Sequence, residues 1–177
     1  MIITYFVHST TTDNESGVVT GWEDSPLSEK GNKQAAELHS LTADHPFDVV
    51  ISSDSGRAIE TATIAFKPLF LMTDWRLREI NYGKYSKQPS HTVKSDLTKY
   101  INSPFPEGES YDDVLTRMVS LISDIKKYHQ GKSVALVAHQ APQLALNVLI
   151  HGKTWEQAFQ EDWRKTHAWQ PGWTYEI

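Results

Sequence analysis

The sequence predicts an α/β fold, a three-layer sandwich in which a mostly parallel sheet carries helices on both faces. Apolar runs of four to six residues alternate along the chain with amphipathic segments of helical spacing. The runs suit strands that are buried on both sides, and they are too short to span a membrane. With 177 residues, a single domain over 1–177 accounts for the whole chain.

The predicted elements follow a β-α-β-α order. Strands are expected at 2–7, 47–52, 69–72 and 133–138. Ser28 and Ser55 are suitable N-caps for the helices that follow the first and second strands. In the second of these helices, Ile59, Ala62 and Ala65 are expected to face the core.

The second half of the chain contains a lid and two more helices. Prolines interrupt 81–106, which predicts a lid built from loops and one short helix. A long amphipathic helix is expected over 111–128, with an apolar stripe of Val114, Met118, Leu121, Ile122 and Ile125. A mostly apolar helix follows at 142–150, and the tail over 162–173 predicts a last helix and an edge strand.

Composition narrows the classes of function. A net charge of -5 and 39% apolar residues exclude a basic nucleic-acid binder and a disordered acidic chain. The chain has no cysteine, which excludes disulfides, thiol catalysis and cysteine zinc sites. No targeting segment precedes the first strand, so we expect a cytoplasmic location without a membrane or nucleic-acid partner.

Two histidines directly follow apolar runs. His8 comes after the first predicted strand, and His139 comes after the strand at 133–138. Open α/β folds bind their ligands at the carboxyl ends of their strands. If these two strands are neighbours, the imidazoles could serve as a nucleophile and its partner. Taken singly, a histidine at a strand end is more often a hydrogen-bonded structural residue.

Three further residues are candidates for the same site. Arg57, in the first turn of its helix, could bind phosphate oxygens, although an ion pair with Asp54 or Glu60 is an alternative. Glu79 could donate a proton, or it could be a solvated carboxylate. Asn14 could donate its amide to an oxyanion, or it could be an ordinary loop residue.

These residues together resemble the histidine phosphatase superfamily, also called the phosphoglycerate mutase-like family. The resemblance covers roughly the first 150 residues, and the combination of motifs is specific although each motif alone is weak. The motifs are His8 followed by TTTDN, G-W-x-D-x-P-L-S-x-x-G-x-x-Q-A at 21–35, I-S-S-D-x-x-R-A-x-x-T-A at 51–62, L-R-E-x-x-Y-G at 77–83, F-P-x-G-E-S at 105–110 and V-A-L-V-A-H at 134–139.

The resemblance implies phosphoryl transfer from a small phosphorylated substrate through a phosphohistidine on His8, with no cofactor and no metal ion. It implies that Arg57, Asn14 and His139 bind the phosphoryl oxygens. Glu79 would protonate the leaving oxygen and later activate water. A neutral imidazole is a competent nucleophile near pH 7. His139 is expected to be protonated and donating, so the two environments must separate the two pKa values.

The chain departs from the family's pattern beside both histidines. Val7 replaces the first arginine of the Arg-His-Gly motif, and Gln140 replaces the glycine after the second histidine. Losing a charge-assisted contact could remove about 2 to 4 kcal/mol of transition-state stabilisation, which predicts a weak enzyme. Ser9 and Gln140 are predicted phosphate ligands that partly replace it, and Arg78 or Arg164 could supply a cation.

The expected function is that of a metal-independent phosphatase. The alternatives are a phosphate-binding protein with little or no turnover and a mutase-type phosphoryl transfer. The lid lysines at 84, 87, 94 and 99 either draw an anionic substrate or form a solvated surface. The tryptophans of the tail either pack over the sheet edge or form a homodimer contact, and Trp169 or Trp173 could reach the pocket mouth.

Overall fold

The computed structural model describes residues 1–44, 46–67, 70–166 and 172–177. Within these ranges the strands are β1 (Ile2–Val7), β2 (Val49–Ser52), β3 (Leu71–Thr73), β4 (Val134–Ala138) and β5 (Trp173–Glu176). The α-helices are α1 (Thr12–Ser16), α2 (Glu29–Thr42), α3 (Gly56–Phe66), α4 (Ser90–Val93), α5 (Tyr111–Tyr128), α6 (Gln140–His151) and α7 (Trp155–Gln160). Short 3-10 helices span Trp75–Leu77, Gly83–Tyr85, Leu97–Tyr100 and Trp163–Thr166.

The strands form one mixed sheet in the order β3-β2-β4-β1-β5. The pairs β3–β2, β2–β4 and β4–β1 are parallel, and β5 runs antiparallel to β1 at the edge. All five residues of β4 are buried, because a central strand with helices on both faces has no solvent side. Since β1 and β4 are neighbours, the two histidines that follow them leave the sheet at the same edge.

Helices cover both faces of the sheet, which confirms the predicted three-layer fold. On one face, Leu38 of α2 and Ala62 of α3 pack against Phe6 of β1 and Val137 of β4. Strand side chains alternate between faces, so the neighbouring strand residues belong to the other cluster. That larger cluster joins β1 and β4 to α5, α6 and α7 through residues that include Ile3, Tyr5, Val7, Leu136, Met118, Leu144 and Phe159.

The long helix α5 agrees with its prediction in both bounds and buried face. All five residues of the predicted stripe are buried. Its start is fixed by a capping box, in which Ser110 Oγ accepts from Asp113 N at 3.1 Å and the Asp113 carboxylate accepts from Ser110 N at 2.8 Å.

Several elements differ from their predictions in extent. β2 begins at Val49, and the Asp48 carboxylate before it accepts hydrogen bonds from the amide and hydroxyl of Ser133. In α3, Ala58 is fully buried whereas Ile59 is only half-buried. Part of the predicted run at 69–72 lies outside the described residues, and β3 occupies Leu71–Thr73.

The lid and the tail contain more helix than expected. The lid holds α4 between two 3-10 helices, where one short helix was predicted. The tail forms the expected edge strand β5 and a 3-10 helix, but α7 precedes them and was not predicted. Trp155 and Phe159 bury one side of α7 against Tyr111. In the ranges that the structure describes, no helix has the length and apolar character needed to cross a membrane.

Candidate active site

His8 and His139 lie side by side at the carboxyl edge of the sheet. Val7 and Ala138, the residues before them, face each other in the register of β1 and β4. The amide of His8 donates to the carbonyl oxygen of Ala138 at 2.9 Å, and the two imidazole centroids are 5.0 Å apart. The structure thus brings the two histidines together, because β4 and β1 are neighbours, the condition on which the prediction depended.

The loop after His8 is held by the start of α2. Thr10 N donates to Gln34 Oε1 at 3.0 Å, and Ser28 N donates to the carbonyl oxygen of Thr10 at 3.0 Å. Gly31 permits this close approach, since a Cβ there would lie 1.9 Å from the same carbonyl oxygen. The position of the candidate nucleophile is therefore fixed on both sides, by the sheet and by α2.

The imidazole of His8 is held in one neutral tautomer. Its Nδ1 lies 2.8 Å from the carbonyl oxygen of Ser9, and because a carbonyl only accepts, Nδ1 carries the proton. Burial first, and then the charge of Arg57, lower the pKa of His8 from 6.5 to about 3, although the Ser9 hydrogen bond raises it. At neutral pH the unprotonated Nε2 therefore keeps the lone pair that a nucleophile needs.

This pKa predicts that acidification destabilises the fold. Between about pH 6.5 and the folded pKa of about 3, the unfolded chain binds more protons at His8 than the folded chain does. The free energy of unfolding should fall with pH in this window, by up to about 1.4 kcal/mol per pH unit for this group. Urea unfolding of the wild type and of His8→Asn at about pH 7 and about pH 5 measures it. The variant should lose less stability, and equal losses would contradict a buried neutral His8.

His139 is fully buried and fixed through its backbone and both ring nitrogens. The Tyr5 hydroxyl donates to its carbonyl oxygen at 2.7 Å and accepts from its amide at 3.0 Å. Nη2 of Arg57 donates to Nδ1 at 3.4 Å, so Nε2 carries the proton and donates to Ser53 Oγ at 3.0 Å. Burial and the charge of Arg57 lower the pKa of His139 well below its usual value. The expectation of a protonated His139 is therefore wrong.

Ser55 supports this imidazole from the N-cap position of α3. The position agrees with the prediction, but its side chain makes no capping hydrogen bond to the helix. Its hydroxyl instead lies 3.2 Å from Nε2 of His139 and 3.4 Å from Ser53 Oγ. The Ser55 hydroxyl therefore contacts the imidazole of His139 and not the amides of α3.

Arg57 enters the site from the first turn of α3 and is 2% exposed. Nη2 donates to the carbonyl oxygen of Gly21 at 2.7 Å, and Nη1 donates to that of Glu23 at 3.0 Å. A guanidinium has five N–H donors, and with the contact to His139 three of them are used. One of the two that remain, Nε–H, is buried without a hydrogen-bond partner among the described residues. These donors are available to an anion.

The alternative ion pair of Arg57 with Asp54 or Glu60 is wrong. Asp54 instead accepts two hydrogen bonds of 2.7 Å from Arg78, whose guanidinium also lies 4.8 Å from the centroid of the Trp22 ring. Arg78 lines a crevice beside Trp22 that shares Arg57 and Glu79 with the cavities next to His8, but Arg78 itself lines neither of those cavities. It therefore does not supply the cation that the sequence led us to expect beside His8.

Glu79 is anchored at the start of α6. Its Oε1 accepts from the amides of Ile80 and Ala141, both at 2.9 Å, and its Oε2 accepts from the amide of Gln140 at 3.2 Å. The N-terminus of a helix attracts a carboxylate in this way. A carboxylate accepts about four hydrogen bonds, so one position on Oε2 remains for a proton or a water. Glu79 is therefore a fixed group and not a solvated one, as its 9% exposure also shows.

Two adjoining cavities open beside His8. The first, of about 130 Å³, is lined by four predicted site residues, His8, Asn14, Arg57 and Glu79. The second, of about 230 Å³, lies on the side of Val7, and its lining includes Val7, His8, Asn14, Glu79, Lys94, Gln140 and Arg164. The predicted residues thus meet in one place, and two cations from outside the strand ends join them.

Asn14 lies on α1 at the mouth of both cavities. Its Oδ1 accepts from the amide of Thr11 at 2.9 Å within a capping box. Because Oδ1 is the acceptor, the amide nitrogen of Asn14 is left to donate. Its side chain is exposed, which fits a residue that meets a ligand from solvent.

Ser9 and Gln140 are placed less favourably than expected. Ser9 is buried and lines neither cavity, and its amide donates to Thr61 Oγ1 at 3.0 Å. Gln140 lines the second cavity, but its amide nitrogen donates to Asp162 and its oxygen accepts from Lys94 Nζ at 2.5 Å. Phosphate binding by these two side chains stays a prediction.

The lid lysines have different environments. Lys84 pairs with Glu107 at 2.7 Å, and Lys87 pairs with Asp13 at 2.6 Å. Lys94 lines both cavities. The sequence could not single it out, because its distance from His8 depends on how the lid folds back.

The tryptophans of the tail are only partly described. Trp163 lines the second cavity, and the ring of Trp173 packs against the ring of Trp163 with centroids 5.5 Å apart. Trp173 lies on β5 opposite Tyr5, at the sheet edge. Trp169 lies outside the described residues. Over the ranges that are described, no group of three or more histidine, aspartate or glutamate side chains is arranged to hold a metal ion.

Comparisons with known proteins agree with these features. The chain is 29% identical over 161 residues to "Probable phosphoglycerate mutase GpmB" of Escherichia coli, covering 85% of this chain and 74% of that protein. The structure of YhfR from Bacillus stearothermophilus is similar with a TM-score of 0.85 at 24% identity, covering 99% of this chain and 91% of the other. An alpha-ribazole phosphatase from Shigella flexneri gives a TM-score of 0.77 at 23% identity, covering 90% and 84%.

The similar proteins thus carry the names of both mutases and phosphatases, and their fold is the phosphoglycerate mutase-like one found here. The family model described as "Histidine phosphatase superfamily (branch 1)" matches residues 5–172, which is nearly the whole chain. The chain therefore belongs to the histidine phosphatase superfamily.

Proposed function

We propose that this chain is a phosphatase that hydrolyses a small phosphorylated metabolite through a phosphohistidine on His8. The state of His8 carries the proposal, because its neutral imidazole keeps Nδ1 on the Ser9 carbonyl and leaves Nε2 as the nucleophile. His8 shares a cavity with Arg57 and Glu79, an anion-binding group and a group for proton transfer.

In the first step, Nε2 of His8 attacks phosphorus, the bond to the leaving oxygen breaks, and Glu79 gives its proton to that oxygen. In the second step, water attacks phosphorus, the N–P bond breaks, and Glu79 takes a proton from the water. Free phosphate leaves, and both side chains return to their initial state. Arg57 and Asn14 spread their donors over the phosphoryl oxygens, so fixed charge does the work that a metal ion does in other phosphoryl transfers.

His139 supports this reaction through Arg57. Its Nδ1 accepts from Nη2 of Arg57, which fixes the plane of the guanidinium beside His8. Direct contact of His139 with a phosphoryl oxygen, which the resemblance implied, stays a prediction.

The direct test is hydrolysis of p-nitrophenyl phosphate and of a panel of sugar and glycolytic phosphates, without added metal. Release of inorganic phosphate is expected for at least one of them. Absence of turnover on every substrate would favour a phosphate-binding protein. Val7, which is 9% exposed, supports that alternative because the resemblance implies an arginine at this position. Transfer of the phosphoryl group to a second alcohol instead of water would favour the mutase alternative.

Replacing Glu79 with glutamine should lower kcat/KM, which reports the first step, by about 100-fold for an alkyl phosphate, because the leaving alkoxide then lacks a proton donor. The loss should be smaller for p-nitrophenyl phosphate, whose leaving group needs little protonation. Glu107→Gln is the matched control, since Glu107 is an exposed lid carboxylate paired with Lys84. Equal losses on both substrates would contradict the role of Glu79 as the acid.

The expectations about binding partners and cellular location stay predictions. They are a cytoplasmic location, no nucleic-acid or membrane partner, and a tail that packs on the sheet edge or forms a homodimer contact.

A further inference from the structure

Two cations line the site on the side of Val7, the residue at which the resemblance implies an arginine. Lys94 comes from the lid, directly after α4, and Arg164 comes from the 3-10 helix that follows α7. Both line the second cavity beside Val7 and His8. Neither belongs to the motifs that carry the resemblance.

Lys94 differs from the other lid lysines in its partners. Lys84, Lys87 and Lys99 each form an ion pair, with Glu107, Asp13 and Asp96. Lys94 is half-buried, and among the described residues no carboxylate lies within ion-pair distance of its ammonium group.

One of the three donors of Lys94 is used, on Gln140 Oε1 at 2.5 Å. Burial lowers the pKa of Lys94, the carboxylate of Glu79 raises it, and the charge of Arg164 lowers it again. A half-buried cation without an ion-pair partner costs free energy, and a bound anion would reduce that cost.

Arg164 also has an unused donor in the site. Its Nη1 donates to Asp162 Oδ1 at 2.8 Å, and its guanidinium lies 4.7 Å from the centroid of the Trp163 ring. Its Nη2 is buried and has no hydrogen-bond partner within the described part of the chain. A group held by an ion pair and a ring stack is pre-organised to offer its free N–H to a ligand.

A single side chain links the two cations to the helix that follows His139. Gln140, the first residue of α6, accepts from Lys94 through its oxygen and donates to Asp162 through its nitrogen. Asp162 in turn holds Arg164. Of the described charged side chains that line this cavity, Lys94 and Arg164 are cations and Glu79 is a carboxylate. Gln140, which stands where the resemblance implies a glycine, is thus the residue that accepts the hydrogen bond of Lys94.

We propose that Lys94 and Arg164 bind the phosphoryl oxygens on the Val7 side of His8, where the resemblance implies an arginine. The ligand class is the dianion of a phosphate monoester or inorganic phosphate itself. The inference rests on the proposed function only in taking a phosphoryl group as the ligand of the cavity.

The test measures binding of orthovanadate, a phosphate analogue, by calorimetry. We compare the wild type with Lys94→Met, Arg164→Met and the double variant. Each single substitution should weaken binding on the order of 10-fold, and the double variant on the order of 100-fold, as expected for the loss of charge-assisted contacts. Lys84→Met is the matched control, a lid lysine in an exposed ion pair, and it should bind like the wild type.

Conservative variants separate charge from folding. Lys94→Arg and Arg164→Lys keep the charge and should retain binding within about threefold of the wild type. Thermal melting shows whether each protein is folded. If Arg164→Met does not fold because Asp162 loses its partner, Lys94→Met and Arg164→Lys still decide the question.

The outcomes distinguish this inference from the proposed function. If the wild type binds orthovanadate and Lys94→Met and Arg164→Met bind it as tightly as Lys84→Met, the inference is overturned while the phosphatase proposal stands. If binding depends on both cations but no phosphate ester is hydrolysed, the inference stands and the phosphatase proposal fails. A wild type that does not bind orthovanadate overturns the inference.

Discussion

Alanine in place of His8 is expected to lower kcat at least about 10,000-fold, the loss typical of a missing covalent nucleophile. No other described side chain can replace it, since His139 is fully buried and its Nε2 already donates to Ser53 Oγ. Without His8, phosphorus can react only with water in a cavity of fixed charges. The measurement is turnover of the best substrate from the phosphate panel.

The phosphoenzyme gives this prediction a second readout. After rapid quenching in base, the wild type should carry a phosphoryl group that is stable in base and labile in acid, as a phosphohistidine is, and His8→Ala should carry none. His151→Ala is the matched control, because His151 is an exposed imidazole at the far end of α6 that stacks on Tyr175. Turnover or phosphoenzyme that survives in His8→Ala would show that His8 is not the nucleophile.

Replacing Arg57 with methionine is expected to lower kcat/KM by about 1,000-fold, because the buried guanidinium contributes donors to the transferring phosphoryl group. The same substitution should lower the free energy of unfolding by about 1 to 3 kcal/mol. Two carbonyl oxygens, of Gly21 and Glu23, and Nδ1 of His139 would lose their donor in a buried region. Steady-state kinetics and urea unfolding measure the two effects separately.

Two further variants test whether the loss of kcat/KM comes from the charge or from the geometry of Arg57, and whether it is specific to this arginine. Arg57→Lys keeps one charge but cannot make all the contacts of the planar fork, so it should recover only part of kcat/KM. Arg78→Met removes an arginine that pairs with Asp54 and lines neither cavity next to His8, and its kinetics should stay near those of the wild type. A kcat/KM for Arg57→Met equal to that of Arg78→Met would rule out a role for Arg57 in phosphoryl binding.

The strands and the place of each histidine at the end of a strand could be predicted because they depend on local pattern. A run such as VALVA is buried in any order of strands, and the residue after it must appear at the carboxyl edge. The stripe of α5 depends in the same way on spacing alone. The apolar pattern does not show that β1 and β4 are neighbours, so this could only be assumed from the sequence. The strand order of the sheet shows that they are.

The charge distribution around His8 could not be predicted, because it depends on contacts between distant segments. Lys94 reaches Gln140 across 46 positions of sequence, and Gln140 reaches Asp162 across 22. The spacing of apolar residues along the sequence contains no information on such contacts. The protonation of His139 was mispredicted for the same reason, since its burial beside Arg57 is a property of the folded chain.

The hydroxyl of Ser55 illustrates a compromise between stability and activity. A serine that caps a helix through its side chain contributes on the order of 1 kcal/mol, and α3 forgoes this because the hydroxyl faces Nε2 of His139. The start of α3 is therefore a place where the fold is less stable than its own residues would allow. Selection for thermal stability alone would favour a carboxylate at this position that turns back to the helix amides. In this chain the serine thus contributes to the orientation of the second imidazole instead of to the melting temperature.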